Sequence, residues 1–303
     1  MTGGAMTIAF IGLGAMGGRM AGVLQAAGHQ VTGYDPVAEA LKALEAKGGL
    51  PAESAAAACA GAAVLVLMVV NADQAATVLF DDGALEALPK GALIISCVTM
   101  PAAASEAIGQ RVEEAGRLYL DAPVSGGTVG AEQGTLTFMV AGSDAAFAKA
   151  EPLLKLMGGH IFRLSDRPGA GSTMKMVHQL AAGCNLAVAA EVMSFGTHLG
   201  LDPAQVLEVL NVSAGGSWMI RDRGPRMLTE GEDAKSAVDI FVKDLGIVLD
   251  AAHAARFPVP VSAAALQVFL GASSAGFGGY DDSQATRFYE CLGGSSVRRP
   301  EKS

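Results

Sequence analysis

Three stretches of this chain place reactive or hydrogen-bonding residues at spacings that suit chemistry. "IAFIGLGAMGGRMAGVL" sets Gly12, Gly14 and Gly17 as GxGxxG between a β-rich apolar run and a helical pattern. In that context the first glycine permits a tight turn, the second lets backbone approach a pyrophosphate, and the third lets helix pack on strand. The helix start then offers unpaired N–H groups to phosphates. The next run, "QVTGYD", ends in Asp35. A carboxylate there accepts hydrogen bonds from the ribose hydroxyls of NAD and repels a 2′-phosphate. No Arg or Lys follows until Lys42, so NAD is the expected cofactor. "DAPVSGGTVGAEQGTLTF" offers the Ser125 hydroxyl and the backbone N–H groups of Gly126 and Gly127, a cluster suited to a carboxylate. A plain glycine turn has the same sequence. "GSTMKMVHQL" carries Lys175 with His178 and Gln179 three and four residues on, hence on one helix face. For a lone lysine near a helix start, one that snorkels to solvent beside a satisfied core histidine is the better reading, and three hydrogen-bonding side chains clustered at the domain boundary weaken it.

The elements that must position these groups follow from periodicity. The runs "TIAFIG", "QVTGYD", "AAVLVLMVV", "GALIISCV", "RLYLDAP", "TLTFMVAG" and "HIFRLS" alternate with helical patterns, the signature of parallel βαβ units in an α/β, doubly wound sheet. After "RPGAG" the strand runs stop. The expected division is therefore residues 1–166, a dinucleotide-binding domain, and 167–303, an all-α domain opened by a long helix over about 172–198. Further helices fit 203–211, 218–228, 236–254 and 259–275, and the tail from about 293 is expected to be disordered. "AESAAAACAGAA" reads as a surface helix with a small-residue packing face.

Composition excludes several function classes. With 51% hydrophobic and 17% charged residues, 303 residues can bury a sizeable core. A formal net charge of −9 without a Lys/Arg cluster argues against nucleic acid and anionic membranes, while leaving room for a small anionic ligand. No uninterrupted apolar run reaches the roughly 18–20 residues of a spanning helix, and the N-terminus lacks the basic opening of a signal peptide. A soluble, cytoplasmic protein without membrane association is expected. Cys59, Cys97, Cys184 and Cys291 show no CxxC or CxxH spacing, so neither a disulfide framework nor a zinc site is indicated.

The set "GLGAMG", "DAPVSGG", "GAGSTMKMVHQ" and "DIFVKDLG", in this order, resembles the β-hydroxyacid dehydrogenase family, from residue 6 to about 290. Within it, "KMVHQLAAG", "GGSWMIRDR", "SAVDIFVKDLG" and "GFGGYDDS" are most similar to the enzymes that act on L-threonate. The resemblance implies an N-terminal Rossmann-type sheet, a long interdomain helix, and an all-α C-terminal domain in a homodimer or homotetramer. It implies cofactor contacts from Leu13, Ala15 and Met16 in the glycine loop, from Met68, Val69, Val98 and Thr99, and from Lys243. It makes Lys175 the catalytic residue, with Ser125, Gly126, Gly127, His178 and Gln179 holding substrate. Two departures stand out. His178 and Gln179 replace the two asparagines of most relatives, which favours a substrate with more hydroxyls than 3-hydroxyisobutyrate. Cys97 and Val98 stand where relatives have Ser-Thr, with Thr99 one position late. Arg221, Arg223 and Arg226 beside Trp218 suit a carboxylate contact or, more commonly, an interface.

The expected activity is oxidation of a short hydroxylated carboxylic acid, L-threonate before 3-hydroxyisobutyrate, glycerate or a sulfonated analogue, with no metal required. A non-catalytic dinucleotide-binding module is the rival of another class, and the presence of Lys175 argues against it; an imine reductase ranks lower. A free lysine, with a pKa of about 10.4, is a weak base at neutral pH. Burial and the positive nicotinamide of NAD⁺ both disfavour the ammonium and lower that pKa. The neutral amine then gains population as pH rises through the lowered value. Alcohol oxidation is therefore expected to climb with pH; a flat profile between about pH 6 and 10, with chemistry rate-limiting, would contradict this.

Overall fold

The computed structural model describes residues 5–229 and 234–298. The chain divides into two compact units, Met1–Lys175 and Met176–Ser303.

In the first unit the strands are β1 (Thr7–Ile11), β2 (Gln30–Tyr34), β3 (Leu50–Pro51), β4 (Val64–Leu67), β5 (Leu93–Ser96), β6 (Leu118–Asp121), β7 (Val124–Ser125), β8 (Leu136–Ala141) and β9 (Gly158–Ser165). Among the described residues they form one sheet, ordered β3-β2-β1-β4-β5-β6-β8-β7 with β9 on β8. From β3 to β6 every pairing is parallel, the doubly wound order. The near-continuous apolar runs follow from burial of both faces. Ile8, Phe10, Val64, Val66 and Ile95 pack on one side with Met20 and Leu24 of the helix Gly17–Ala26 and with Leu153 of Asp144–Met157. Ala9, Ile11, Leu65, Leu67 and Ile94 face the other, against Ala55, Ala58, Ile108 and Val112. The alanine-rich segment forms the short helix Ala55–Cys59, capped by Ser54, which accepts from the Ala57 N–H at 3.1 Å.

The sheet is not wholly parallel, contrary to the sequence expectation. β8 pairs antiparallel with Asp121 and with Val124 and Ser125, so it retraces the extended segment that leaves β6. The chain never crosses over a sheet face here. It turns at the carboxyl end of β6 through the glycine segment and the helix Gly127–Gln133, and such a local return is necessarily antiparallel.

The long helix runs Ala170–His198 and is continuous across the division at residue 175. In the second unit the helices Pro203–Val212, Trp218–Met227, Val238–Ala254 and Pro260–Ala272 bury Leu186, Met193, Ile220, Phe241, Leu245 and Phe269 together. Phe241 and Phe269 stack with centroids 5.0 Å apart. The 3-10 turn Asp282–Thr286 and the helix Arg287–Cys291 escape sequence reading, because the first is held by polar side chains and the second is one short turn with only Phe288 and Tyr289 on the core. Arg223 donates to both oxygens of Asp282, at 3.0 and 2.9 Å, and Arg226 donates to Asp281 at 3.0 Å. Desolvation opposes the Arg223 charge, but Asp282 and Asp222 outweigh it and leave the guanidinium pKa raised. The expected tail disorder fails over 293–298: Val297 is fully buried in the core and Arg298 pairs with Glu290 at 2.7 Å. Residues 299–303 of that tail lie outside the described residues.

By length and mean hydropathy, 1.3 and 1.2, the helices Ala170–His198 and Pro260–Phe277 reach what crossing a membrane requires; core helices of globular proteins pass the same test. Asp282 is fully buried, and its removal takes from Arg223 its bidentate partner, leaving that guanidinium with Asp222 alone among the described ion pairs. Asp282→Ala is expected to cost about 3 kcal/mol of unfolding free energy in a urea titration.

Candidate active site

The glycine loop joins β1 to the helix Gly17–Ala26. Gly12 has φ +88°, and a Cβ there would lie 2.3 Å from the Met68 carbonyl oxygen; one on Gly17 would lie 1.9 Å from that of Gly12. Only glycine permits either approach. A Cβ on Gly14 would meet no atom within 4 Å, so backbone is open to a ligand at that point. Asp35 accepts from the Leu13 N–H at 2.7 Å and from the Val37 N–H at 2.9 Å, which fixes its carboxylate beside the loop. Met68 and Val69, after β4, border Gly12. Gly12, Leu13, Asp35, Met68 and Val69 thus gather at the carboxyl ends of β1, β2 and β4, the crevice where doubly wound sheets bind ligands. Ala15 is exposed and Met16 half-buried at the helix entry. This cradle of open backbone at a helix start with a fixed carboxylate fits a dinucleotide.

Cys97 and Val98, beyond β5, are both 1% exposed, so their side chains pack in the sheet; Thr99 is half-buried. Burial pushes the Cys97 thiol up to about 12, which leaves it without thiolate character near neutral pH.

Ser125, Gly126 and Gly127 are half-buried where the chain turns between β7 and β8. Gly126 and Gly127 have φ +131° and +62°, so two successive residues demand glycine and their amides turn together. Asp121, which closes β6, is a residue that sequence reading passed over. Its Oδ2 accepts from the Gly169 N–H at 2.9 Å and the Ser172 N–H at 2.8 Å, and its Oδ1 from the Ser172 hydroxyl at 2.8 Å. These donors belong to the first turn of the long helix and the residue before it. Burial pushes the Asp121 carboxyl above its ordinary pKa, against the pull of the bonds from Ser172 and Gly169. Gly171 completes the fit: a Cβ there would lie 2.5 Å from the Met139 oxygen and 2.8 Å from that of Asp121. Lys175 follows Ser172 by one turn, on the same helix face, and is 7% exposed. The spacing GxGSxxK is thereby explained, with Gly171 for approach, Ser172 for the bond and Lys175 for what that bond positions.

In the second unit, His178 Nδ1 lies 2.9 Å from Gln179 Oε1, and Gln179 Nε2 donates to Asp244 Oδ2. Gln179 is 7% and Asp244 2% exposed. Lys243, expected at the cofactor, has its Nζ 2.7 Å from Asp244 Oδ1. The sequence offers Asp244 or Asp239 as an ion-pair partner for a solvated Lys243, and the pair with Asp244 is the one observed; the bond from Gln179 to Asp244 is what sequence reading missed. Arg223 and Arg226 are engaged with Asp222, Asp281 and Asp282, while Arg221 and Trp218 are exposed.

Asp121→Asn preserves volume but turns one of the two acceptor oxygens into an NH₂ and removes the charge, so either the Ser172 hydroxyl or the two N–H groups at Oδ2 lose their acceptor. Unfolding free energy is expected to fall by about 2 kcal/mol and turnover to drop. Dinucleotide affinity measured by calorimetry should stay within about twofold, because β4 and β5 separate β6 from β1, which leads into the glycine loop.

Residues 7–165 match the NAD binding domain of 6-phosphogluconate dehydrogenase, and residues 169–289 match the NAD-binding family of NADP-dependent 3-hydroxyisobutyrate dehydrogenase. An L-threonate dehydrogenase of Cupriavidus necator is 44% identical over 93% of this chain and 95% of its own length. A second, of Pectobacterium atrosepticum, is 37% identical over 97% and 96%. The crystal structure of a 3-hydroxyisobutyrate dehydrogenase from Salmonella typhimurium superposes with a TM-score of 0.88 at 39% identity, covering 92% of this chain and 98% of that one. The chain therefore takes a nicotinamide dinucleotide and belongs to the β-hydroxyacid dehydrogenase family, whose members oxidise hydroxy acids with that cofactor.

Proposed function

We propose that the chain oxidises L-threonate at C2 to 2-oxo-tetronate with NAD, as a soluble, cytoplasmic enzyme. The observation that carries this reading is one continuous helix bearing Lys175, His178 and Gln179, its start pinned by Asp121 beside the Ser125–Gly127 turn. The relatives named for L-threonate, at 37–44% identity over nearly the whole chain, support the substrate. Asp35 supports NAD over NADP, since a fixed carboxylate accepts from ribose hydroxyls and repels a phosphate.

Bound nicotinamide supplies the acceptor for the hydride that leaves C2. The residues of the chain do the rest. Ser125 and the amides of Gly126 and Gly127 hold the substrate carboxylate. The neutral Lys175 amine takes the proton of the C2 hydroxyl, and in the reverse direction its ammonium returns it. His178 and Gln179 orient the remaining hydroxyls, having both donor and acceptor capacity. Gly12 to Gly17, Asp35, Met68, Val69, Val98, Thr99 and Lys243 line the dinucleotide. Residues 1–166 and 167–303 are the two functional domains in this reading.

The chain also assembles as a homodimer or homotetramer in this reading, supported by the exposed apolar side chains Val188, Phe195, Leu199 and Val212 of the second unit. Sedimentation equilibrium distinguishes the two from a monomer.

The deciding experiment follows NADH formation with L-threonate, D-threonate, 3-hydroxyisobutyrate and D-glycerate, each with the wild-type protein and Lys175→Ala. L-Threonate is expected to give the highest kcat/KM, and Lys175→Ala to lose about a hundredfold or more. A different preferred acid refutes the substrate. Dinucleotide binding without turnover on any of them refutes the reading as a dehydrogenase of these acids.

A further inference from the structure

We propose that Arg19 is a positioning residue that strengthens binding of the dinucleotide's diphosphate, by fixing the Ala15–Met16 peptide of the glycine loop and by setting a positive charge against that loop. The inference rests on the nicotinamide dinucleotide and not on which hydroxy acid is oxidised.

The observation is a bond made within the loop itself. Arg19 stands in the first turn of the helix Gly17–Ala26, and its Nη1 donates to the Ala15 carbonyl at 2.5 Å. Ala15 is an exposed residue between Gly14 and Gly17, in the stretch that a pyrophosphate approaches. Among the described residues no backbone N–H takes this carbonyl: Gly18 donates to Gly14, while Arg19 and Met20 both donate to Met16. The guanidinium takes it instead. A trans peptide is planar, with its C=O and N–H pointing opposite ways. Holding the Ala15 carbonyl therefore also fixes the direction of the Met16 N–H. That group and the N–H groups of Gly14 and Ala15 have no backbone partner among the described residues. Unpaired amides at a helix start are what an anion binds, and an anion gains most when they are held in place beforehand.

Charge leads to the same assignment. A cation near a helix N-terminus is opposed by the helix dipole. The first turn of this helix carries no acidic residue, and Met16 at its N-cap makes no side-chain capping bond, so nothing in the helix itself answers the guanidinium. Glu132 Oε2 lies 4.0 Å from Arg19 Nε, but its side chain is 74% exposed, and a solvated pair at that range contributes little. An anion at the loop answers the dipole and the guanidinium together. The cradle also holds the Asp35 carboxylate, 2.7 Å from the Leu13 N–H, in a chain of net charge −9, and both oppose a diphosphate. Arg19 offsets them where the phosphates meet backbone.

Calorimetric titration with ADP-ribose, which carries the diphosphate, and with adenosine, which lacks it, tests this without turnover. Arg19→Ala is expected to weaken ADP-ribose binding about fivefold or more and adenosine binding by less than about twofold. Arg19→Gln keeps a donor but loses the charge; it is expected to fall between the two, and it serves should Arg19→Ala not fold. Arg19→Lys keeps both and is expected to bind ADP-ribose within about twofold of the wild type. Added salt is expected to narrow the gap between wild type and Arg19→Ala, because an exposed charge is screened. Glu132→Gln removes the contact to the helix Gly127–Gln133 and is expected to leave ADP-ribose binding unchanged or tighter. Four results each overturn the proposal: unchanged ADP-ribose binding in Arg19→Ala, equal losses for both ligands, an Arg19→Lys no better than Arg19→Ala, or a loss in Glu132→Gln that matches Arg19→Ala. Failure of every hydroxy acid to react removes the proposed substrate and leaves this measurement standing.

Discussion

The first unit depends on a buried carboxylate taking three hydrogen bonds from the start of a helix. Asp121 ends β6, and its acceptors are met by the Gly169 and Ser172 N–H groups and the Ser172 hydroxyl. The first N–H groups of any helix lack intrahelical partners. Here they are satisfied by the sheet itself, with a charge of the sign that the helix N-terminus favours. Bonds to a charged group are worth roughly 1.5–3 kcal/mol each, enough to fix the helix start against the strand end. The same strand end leads into the Ser125–Gly127 turn, and the same helix carries Lys175 one turn later. A single residue therefore sets the separation between a would-be carboxylate site and a would-be base, a separation that catalysis cannot leave loose.

This arrangement explains why the β8 return is antiparallel. A crossover after β6 would carry the chain across a sheet face and away from the strand's carboxyl end. By turning locally, the chain keeps Ser125, Gly126 and Gly127 at the end of the sheet where Asp35, Met68 and Thr99 also emerge. The departure from a purely parallel sheet thus serves position. It leaves the β3 to β6 order, which creates the dinucleotide crevice, untouched.

Much of the architecture was legible in the sequence because periodicity reports burial. Seven strand runs and the helices from Ala170 to Ala272 follow from apolar patterns, and the glycine loop from its context. What escaped was held by other forces. β3 and β7 are two-residue strands defined by pairing alone. The segment 282–291 and residues 293–298 are too short and mixed to show an apolar period; ion pairs of Arg223, Arg226 and Arg298 hold them in place together with Phe288, Tyr289 and Val297 packed on the core. In the site, Lys175, His178 and Gln179 declared themselves by spacing on one helix. Asp121 and Ser172 did not, since they bond each other from far apart in sequence and a lone acid beside an apolar run has no periodic signature; Asp244 showed only as a neighbour of Lys243, its bond from Gln179 spanning 65 residues. Sequence patterns name the groups that could react; the acids that aim them appear only when the fold brings distant segments together.

The buried acids also show how this acidic chain spends its charge. Asp282 and Asp281 neutralise Arg223 and Arg226 at full burial and hold one segment of the second unit in place. Asp244 is as deeply buried but divides its oxygens between a cation and a neutral amide. An ion pair alone would satisfy the charge and carry no orientation further. By engaging Gln179 as well, Asp244 sets which end of that amide faces it, the NH₂, and leaves the amide oxygen 2.9 Å from His178 Nδ1. The two clusters share one chemistry, a desolvated carboxylate, and differ in what the second oxygen meets. Where it meets another guanidinium the result is anchorage. Where it meets an amide the result is a hydrogen bond whose direction is set by an oxygen that only accepts.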